Sequence, residues 1–273
     1  MKIFHISDPH LDFHIKNAGN ISKISAFVKK LIPPEKTKDG ILIIPGDISH
    51  YNHLSIAFLT EIKKYFKEVF VTAGNHDLYL VSKNIMKKYG FDSFKRLKEF
   101  KEMCVKNGIH YMEGNVFEIN GIRICGLPGW YKVKNIAYWE SVMNDANYIL
   151  KGTPKITIPT LYGRKESMHS FSPLEYFDEQ FKIFDSLKGK IDILFSHVPF
   201  IDVRKKHLRS DEFYWWTDSL SEYAEEKMKE LNVKHYIFGH VHEEYKTEKN
   251  RIKIHSFPLG YKCTGQKTAF FEI

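Results

Sequence analysis

Side chains that commonly bind metal ions follow five short apolar runs of this sequence. Each group contains at least one histidine or aspartate, and three of the groups also contain glycine. The five groups are Ser7-Asp8-Pro9-His10, Pro45-Gly46-Asp47, Gly74-Asn75-His76-Asp77, Ser196-His197 and Gly239-His240-Val241-His242. Together they offer carboxylates, an amide oxygen and imidazoles, a donor set that suits divalent first-row metals.

One such group has ordinary explanations. Asp8 before Pro9 can begin a turn, Asp47 can cap a helix, and His197 can be a hydrogen-bonded core histidine. Five groups with the same placement favour a shared function, because ligands of α/β proteins bind beyond the carboxyl ends of the strands. Loops at that edge bring distant parts of the chain together. The groups hold seven candidate ligands, which is enough for two metal ions.

Strands and helices in alternation must position these groups. Apolar runs predict a strand before each group, at KIFHI, ILII, VFVTA, IDILF and HYIF. Helical spacing of apolar residues predicts helices at 19–31, 54–67, 92–107, 172–187 and 219–231. The fourth helix opens on Ser172-Pro173-Leu174-Glu175, a capping box with proline at the first helical position. This order indicates α/β architecture.

Additional strands are predicted at IHYM, NVFEI, IRICGL, RIKIHSF and AFFEI, with Asn120-Gly121 as a hairpin turn. Residues 128–171 are rich in glycine, proline and aromatic residues. We interpret them as an irregular insertion over the core that forms a cap or a wall of a substrate site. We therefore predict one domain, 1–273, with an insertion at about 128–171.

Composition narrows the class of protein. The chain has 273 residues, 43% of them hydrophobic, and a formal net charge of +8. Such a charge suits an anionic partner, namely a nucleic acid, a nucleotide or another phosphate ester, although a merely lysine-rich surface explains it equally well. The three cysteines are sparse, which is typical of reduced thiols in a cytoplasmic protein. The first residues do not resemble a signal peptide, and no apolar run reaches the ~20 residues of a membrane span.

The order D-x-H, G-D, G-N-H-D, H and G-H-x-H resembles that of the calcineurin-like metallophosphoesterases, over residues 8–242. The resemblance implies a four-layer α/β/β/α sandwich of two mixed sheets flanked by helices, with a site for two divalent ions of Mn, Fe, Zn, Ni or Co. It assigns Asp8, His10 and His242 to the first ion. It assigns Asn75, His197 and His240 to the second ion, and Asp47 as a bridge. The counterpart of His76 in the family faces the scissile phosphate.

The chemistry implied by this resemblance is hydrolysis of phosphomonoesters or phosphodiesters. Two cations ~3.5–4 Å apart would clamp the attacking and leaving oxygens. A metal-bound water that loses its proton near neutral pH would attack phosphorus as hydroxide. A protonated His76 would stabilise the developing charge or protonate the leaving alkoxide. We interpret Asp77 as structural.

His240 and His242 illustrate how the ligands would be shared. Two positions apart in an extended segment, their side chains point to the same side, with Cα atoms ~6.5–7 Å apart. That separation is awkward for one ion but suits two adjacent ions. We therefore expect His242 to bind the first ion and His240 the second.

Details of the motifs narrow the branch of the family. No arginine follows Gly46-Asp47 closely, unlike in the protein serine/threonine phosphatases. The sequence resembles a group of bacterial and phage phosphohydrolases at Trp139 and Met143-Asn144-Asp145. Predicted substrate contacts are His50, Asn52 and Arg204. A nuclease or a cyclic-nucleotide phosphodiesterase on the same site remains an alternative, and so does an inactive scaffold that binds a protein.

Overall fold

The computed structural model describes residues 1–15, 20–33, 37–152, 156–160, 163–167, 171–203, 218–261 and 268–273. Its strands, in chain order, are β1 (Lys2–His5), β2 (Ile41–Ile44), β3 (Glu68–Val71), β4 (His110–Tyr111), β5 (Val116–Ile119), β6 (Ile122–Leu127), β7 (Ile156–Thr160), β8 (Gly163–Ser167), β9 (Ile193–Ser196), β10 (His235–Phe238), β11 (Tyr245–Lys249), β12 (Ile252–Ser256) and β13 (Ala269–Glu272).

Its helices are α1 (Leu11–His14), α2 (Ile21–Leu31), α3 (Asn52–Lys63), α4 (Lys83–Lys88), α5 (Ser93–Lys106), α6 (Ile136–Val142), α7 (Asn144–Tyr148), α8 (Pro173–Ser186) and α9 (Asp218–Glu230), with one 3-10 turn at His76–Leu78. Among the described residues, no helix is long and apolar enough to cross a membrane.

Two mixed sheets form the centre of the fold. The first has the order β13-β1-β2-β3-β4, in which β13 is antiparallel to β1 and the other pairs are parallel. The second has the order β11-β12-β10-β9-β6-β5, with antiparallel strands at both edges. Helices flank the sheets, so the predicted α/β/β/α fold is confirmed.

Alternation along the strands builds two layers of core. In β2, Ile41 and Ile43 belong to the core between the sheets, while Leu42 and Ile44 belong to the larger core on the helical side. The core between the sheets consists of Ile3, Ile41, Ile43, Phe70, Met112, Ile122, Ile124, Ile193, Phe195 and Ile237. Strands buried on both faces are continuous apolar runs, which is why the sequence revealed them.

Strand register brings the carboxyl ends of the central strands level. His5 lies opposite Ile43, and Ile43 lies opposite Phe70. In the second sheet, Ser196 lies opposite Phe238. The loops that follow these strands therefore leave the sheets at matching heights and can meet.

Helix boundaries follow local capping. The Asn20 side chain accepts a hydrogen bond from the Lys23 amide at the start of α2. Ser172 accepts one from the Glu175 amide at the start of α8, with Pro173 in the first turn, as the capping box predicts.

Several elements are absent from the sequence prediction. These are α1, α4 and β11, together with α6, α7 and the hairpin β7–β8 inside residues 128–171, where irregular structure was expected. The two insertion helices span seven and five residues and bury only Trp139, Asp145 and Ala146 as whole residues. Elements this short show too few apolar positions for a helical period to emerge from the sequence.

Candidate metal centre

Loops from five separate parts of the chain meet beyond the carboxyl ends of the central strands. The amide of His10 donates to the Asp47 carbonyl at 3.0 Å, and the amide of Gly239 donates to the His197 carbonyl at 3.0 Å. These backbone hydrogen bonds tie the first loop to the second and the fourth loop to the fifth. The His240 amide donates to Asp8 Oδ1 at 2.9 Å, and the Asp47 amide donates to Asp77 Oδ2 at 2.8 Å, so all five groups form one cluster.

The backbone at five of these positions lies in the left-handed region, which costs a non-glycine residue about 1–3 kcal/mol. The φ angles are 52° at Asp8, 40° at His10, 54° at Asp47, 72° at His240 and 51° at His242. The segment 240–242 is therefore not extended. The expectation that an extended backbone places His240 and His242 about 6.5–7 Å apart on the same side was wrong. Local strain at so many adjacent positions indicates a functional arrangement of the side chains.

The first group of possible ligands comprises Asp8, His10, Asp47 and His242, with one ligand atom of each within 4.8 Å of the others. His10 Nε2 lies 2.8 Å from His242 Nε2. His10 Nε2 is also 3.7 Å from Asp47 Oδ2, and His242 Nε2 is 3.6 Å from Asp8 Oδ1.

The second group comprises Asn75, His197 and His240, and it shares Asp47 with the first. His197 Nε2 lies 2.9 Å from Asn75 Oδ1 and 3.2 Å from His240 Nδ1. His197 Nε2 is also 3.4 Å from Asp47 Oδ1. Asp47 thus faces the first group with Oδ2 and the second with Oδ1. His240 and His242 lie in different groups, and their assignment to two different ions stays a prediction.

Hydrogen bonds behind the cluster leave acceptor atoms facing its interior. His197 Nδ1 lies 2.8 Å from the Pro45 carbonyl, so the ring donates there and presents the Nε2 lone pair to the cluster. The Asn75 amide nitrogen donates to Asp145 Oδ1 at 2.8 Å, which turns its Oδ1 inward. Asp8 Oδ2 is buried and has no hydrogen-bond partner within the described structure. Converging acceptors with an orphaned carboxylate oxygen fit two divalent cations.

The protonation states of the cluster are also those expected of metal ligands. Burial lowers the pKa of His10 and of His197 to about 3, so both rings are neutral at physiological pH, as ligands must be. Burial, reinforced by the charges of Asp8 and Asp77, raises the pKa of Asp47 well above its usual range. A cation between these carboxylates would favour their ionised forms.

Gly74 allows two of these groups to approach each other closely. A Cβ atom at this position would lie 2.1 Å from Asp47 Oδ1 and 2.6 Å from His197 Cε1. Gly46 has a φ of 82°, and its Cβ would meet the Gly74 amide at 2.5 Å. Gly46 is therefore needed for its left-handed backbone conformation and for the close approach of Gly74, while Gly74 is needed for space.

Asp77 ties two loops together through its carboxylate. It accepts hydrogen bonds from the amides of Gly74 at 2.9 Å, Asp47 at 2.8 Å, Ile48 at 3.2 Å and Ser49 at 3.4 Å. This agrees with the structural role expected of Asp77.

His76 lines a cavity of about 380 Å³ together with residues of both ligand groups. Its amide donates to Asp47 Oδ1 at 2.8 Å, and its Nε2 lies 3.9 Å from Asp47 Oδ2. Nδ1 lies 2.8 Å from His50 Nε2. Burial, together with the neighbouring imidazoles of His10 and His50, lowers the pKa of His76 well below its usual range.

The predicted substrate contacts have different positions. His50 is beside His76, as described above. Asn52 is buried, and its amide donates to the Arg96 carbonyl at 2.9 Å and to Glu99 Oε2 at 2.7 Å. Its side chain therefore packs between α3 and α5 and is not among the residues that line the cavity. Arg204 lies outside the described residues.

Two further residues at the site did not stand out in the sequence. Tyr261 stacks on His10 with ring centroids 4.5 Å apart, and its hydroxyl lies 3.2 Å from His76 Nε2. It is brought there because the amides of Leu259 and Gly260 donate to the carbonyls of Ser7 and Asp8. Asp145 belongs to a segment noted in the sequence, but no motif indicated that it holds Asn75.

Comparison with known proteins gives the same picture. The sequence profile of the calcineurin-like phosphoesterases matches residues 1–244. A phosphopantetheinyl hydrolase from Mycobacterium tuberculosis superimposes with a TM-score of 0.63 at 18% identity, over 95% of this chain and 89% of that chain. At this identity the likeness shows the fold alone. No curated protein matches the chain.

Two further solved structures superimpose less closely. A dimetal phosphatase from Danio rerio has a TM-score of 0.44 at 13% identity, over 97% of this chain and 88% of that chain. A 5'-nucleotidase from Candida albicans has a TM-score of 0.44 at 17% identity, over 93% of this chain and 45% of that chain.

Proposed function

Because the chain belongs to the calcineurin-like phosphoesterase family, we propose that it hydrolyses phosphomonoester or phosphodiester bonds with two divalent metal ions. The first ion would be held by Asp8, His10 and His242, the second by Asn75, His197 and His240, and both by Asp47. The observation that carries this proposal is the pair of ligand groups that converge on the two oxygens of Asp47.

Two bound cations would supply Lewis-acid polarisation of the phosphate and a deprotonated water at neutral pH. The protein contributes the rest of the site. His76 presents Nε2 to the cavity, where it can stabilise charge on the phosphate or donate a proton to the leaving oxygen. Tyr261 covers one side of His10 and limits access of water to that side.

The insertion helps to shape the substrate site. Val142, Met143 and Asn144 line the same cavity as His76 and Asp47. A volume of about 380 Å³ is in the range of small-molecule sites, which favours a small phosphoester over a polymer. We therefore propose residues 128–171 as a wall of the site.

A cyclic-nucleotide or other nucleotide phosphodiesterase activity is the second candidate. An adjoining cavity of about 530 Å³ is lined largely by aromatic rings, including those of Phe13, Tyr51, Tyr148 and Tyr261. Aromatic walls of this kind accept a planar ring by stacking. The net charge of +8 also favours anionic substrates.

A reducing, cytoplasmic location accompanies this proposal. Cys104 and Cys125 are free and buried thiols, and burial raises the pKa of Cys125 to about 12. Such thiols are typical of proteins that never form disulfides.

The experiment is turnover of chromogenic phosphomonoesters and phosphodiesters by the purified chain with Mn²⁺, Fe²⁺, Co²⁺, Ni²⁺ or Zn²⁺. We expect activity that depends on added metal and is abolished by chelation. His76→Asn should lower turnover by ~10²–10⁴-fold with an unchanged metal content, since His76 is not a ligand. Absence of turnover with all five metals would leave the inactive scaffold as the better explanation.

The assignment of the ligands has a separate test. His240→Ala and His242→Ala should each weaken the binding of one ion, and the two variants should affect different ions. Titration with Co²⁺, followed by absorption spectroscopy, distinguishes the two sites. Loss of the same ion in both variants contradicts the assignment.

A further inference from the structure

Two large aromatic side chains meet at the surface beside the metal cluster. Phe13 is 51% exposed and Tyr261 is 44% exposed, whereas phenylalanine is usually buried. Their ring centroids lie 4.8 Å apart at an interplanar angle of 58°, so the two rings form one continuous surface. Single exposed aromatic residues are ordinary, but a contacting pair at the edge of a cavity is typical of a binding site.

The pair lies where two cavities join. The cavity of about 380 Å³ has proposed metal ligands in its wall, among them Asp47 and His242. None of the seven proposed ligands lines the cavity of about 530 Å³, which includes Phe13. Four residues line both cavities, namely His76, Tyr79, Asn144 and Tyr261. A phosphoester whose phosphate lies beside the ligands can therefore extend its alcohol part past these four residues into the larger cavity.

Tyr261 is held in a fixed position relative to the proposed ligands. Its ring stacks on His10 and meets the ring of His242 edge-on, with centroids 4.7 Å apart. The His14 ring donates from Nε2 to the Gly260 carbonyl at 2.9 Å, which fixes the backbone before Tyr261. A ring that is ordered before the substrate arrives lowers the entropy cost of binding.

The remaining wall of the larger cavity is also apolar and aromatic. The rings of Tyr79 and Tyr148 lie 5.3 Å apart at 38°, and Tyr51 and Val81 add further apolar surface. The described residues that line this cavity include no lysine, arginine, aspartate or glutamate. Such a wall suits an uncharged planar group, because a second phosphate would lose water there without a cationic side chain to pair with.

We propose that Phe13 and Tyr261 select the alcohol part of the substrate, which is uncharged and carries a planar aromatic ring. This inference rests on the proposed function and names the substrate class of the same site. Tyr261 lies beyond residues 1–244, which the family profile matches, so the shared motifs do not account for this selection. A nucleoside and a simpler aryl-substituted alcohol share the required ring, and the experiment distinguishes them.

The first test compares two alkyl esters that differ in the shape of one ring. 2-Phenylethyl phosphate and 2-cyclohexylethyl phosphate release alcohols of similar size and acidity, but only the first carries a planar ring. We expect the wild-type kcat/KM to be on the order of 10-fold higher for the phenyl ester. Phe13→Leu keeps an apolar side chain without a planar ring, so the ratio should fall below about threefold. A ratio near one in the wild type, or an unchanged ratio in Phe13→Leu, would overturn the proposal.

Phe270→Leu is the matched control. Phe270 is also an exposed phenylalanine, at 39%, but it lies in β13 and lines neither cavity. This variant should keep the wild-type ratio between the two esters. A ratio that falls equally in Phe270→Leu and Phe13→Leu would contradict a local role for Phe13.

Two nucleotides test the source of the ring and the charge of the alcohol. A nucleoside 5'-monophosphate with a higher kcat/KM than 2-phenylethyl phosphate identifies a nucleoside, and a lower value assigns a simpler aryl alcohol. A nucleoside 3',5'-bisphosphate adds a second phosphate to the alcohol part, so its kcat/KM should be lower than that of the 5'-monophosphate by at least ~10-fold. Equal values would contradict an uncharged alcohol.

The last test is independent of turnover. 2-Phenylethylphosphonate and 2-cyclohexylethylphosphonate contain no ester bond, and calorimetry gives their affinities for the full chain in the presence of Mn²⁺. We expect tighter binding of the phenyl compound by the wild type and a smaller difference in Phe13→Leu. If no ester is hydrolysed but this difference is observed, the ring site stands and the proposed function fails. If esters are hydrolysed without preference for the planar ring, the function stands and the ring site fails.

Discussion

Replacement of Asp145 by alanine should weaken one of the two proposed metal sites without touching a ligand. Asp145 is fully buried and lies in α7, outside the five ligand loops. Its Oδ1 accepts hydrogen bonds from the Asn75 amide at 2.8 Å and from the Tyr79 hydroxyl at 2.5 Å. Its Oδ2 accepts one from the Tyr131 hydroxyl. The carboxylate is thus the reason that Asn75 turns its own oxygen towards His197.

The size of the effect follows from these contacts. Removing the acceptor leaves the Tyr79 and Tyr131 hydroxyls without their carboxylate and leaves the Asn75 amide with only the Tyr79 hydroxyl, at 3.2 Å. Each unsatisfied buried group costs about 1–3 kcal/mol. Rotation of the Asn75 amide or entry of water would relieve part of that cost. We therefore expect Asp145→Ala to lower the free energy of unfolding by about 2–5 kcal/mol. Loss of a partner behind a ligand typically costs ~10–100-fold in metal affinity, here at the site proposed to include Asn75.

The assay is a Co²⁺ titration of the folded variant, monitored by absorption, with urea denaturation run in parallel. Tyr131→Phe is the matched control, because it removes one donor to Asp145 and leaves the hydrogen bond to Asn75 intact. One weakened and one unchanged site support the argument. Equal weakening of both sites, or wild-type affinity at both, would show that Asp145 does not act through Asn75.

Three further predictions follow from the geometry. Gly74→Ala places a methyl group 2.1 Å from Asp47 Oδ1, so it should lower the free energy of unfolding by ~1–3 kcal/mol and remove most of the bound metal. A variant with the stability and metal content of the wild type would contradict this. Burial lowers the pKa of His5 to about 3 and of His235 and His255 to about 4, with smaller contributions from nearby charges that include Lys246, Lys253 and Lys234. As the pH falls below about 6.5, these histidines bind protons in the unfolded chain before they do so in the folded chain. The free energy of unfolding should therefore decrease by up to ~1.4 kcal/mol per pH unit for each histidine. In urea denaturation between pH 7 and pH 5, the free energy of unfolding of His255→Phe should depend less steeply on pH than that of the wild type. Chelation should lower the free energy of unfolding by ~2.7 kcal/mol for each site whose free metal ion was present at 100 times its dissociation constant. An unchanged melting temperature after chelation would count against bound ions.

The central strands and the loops after them could be predicted from sequence for a physical reason. Strands covered on both faces need continuous apolar runs, and ligands need a narrow set of side chains. The two signals meet at the strand ends, for example where Ile41–Ile44 is followed by Gly46 and Asp47. The short elements were missed because α4, with six residues, has no fully buried side chain and so no apolar stripe.

Contacts between distant segments could not be predicted in the same way. Tyr261 reaches His76 from 185 positions away, and nothing in the residues around it marks that meeting. Asn52 shows the converse error. It follows a ligand loop in sequence, but it begins α3, and the helix directs its amide to the Arg96 carbonyl rather than into the cavity. Proximity in sequence predicted position in the site only where a strand end fixed the direction of the loop.

The least predictable part of the site is the division of labour among its aspartates. Asp8 and Asp47 each accept one backbone amide, from His240 and His76, but their other contacts are with imidazole nitrogens, and Asp8 Oδ2 has no donor among the described residues. Asp12, Asp77 and Asp145 instead meet N–H and O–H donors, and each fixes one part of the site: His50, the Asp47 loop and Asn75. An aspartate facing acceptors needs a cation, whereas one facing donors is already satisfied and can orient its neighbour. The residue type is the same in both cases, so only the partners in the folded chain distinguish a ligand from a residue that positions a ligand. A carboxylate of the second kind should tolerate asparagine better the fewer donors it accepts, which ranks Asp77→Asn, with four amide donors, as more damaging than Asp12→Asn, with one ring donor and one amide donor.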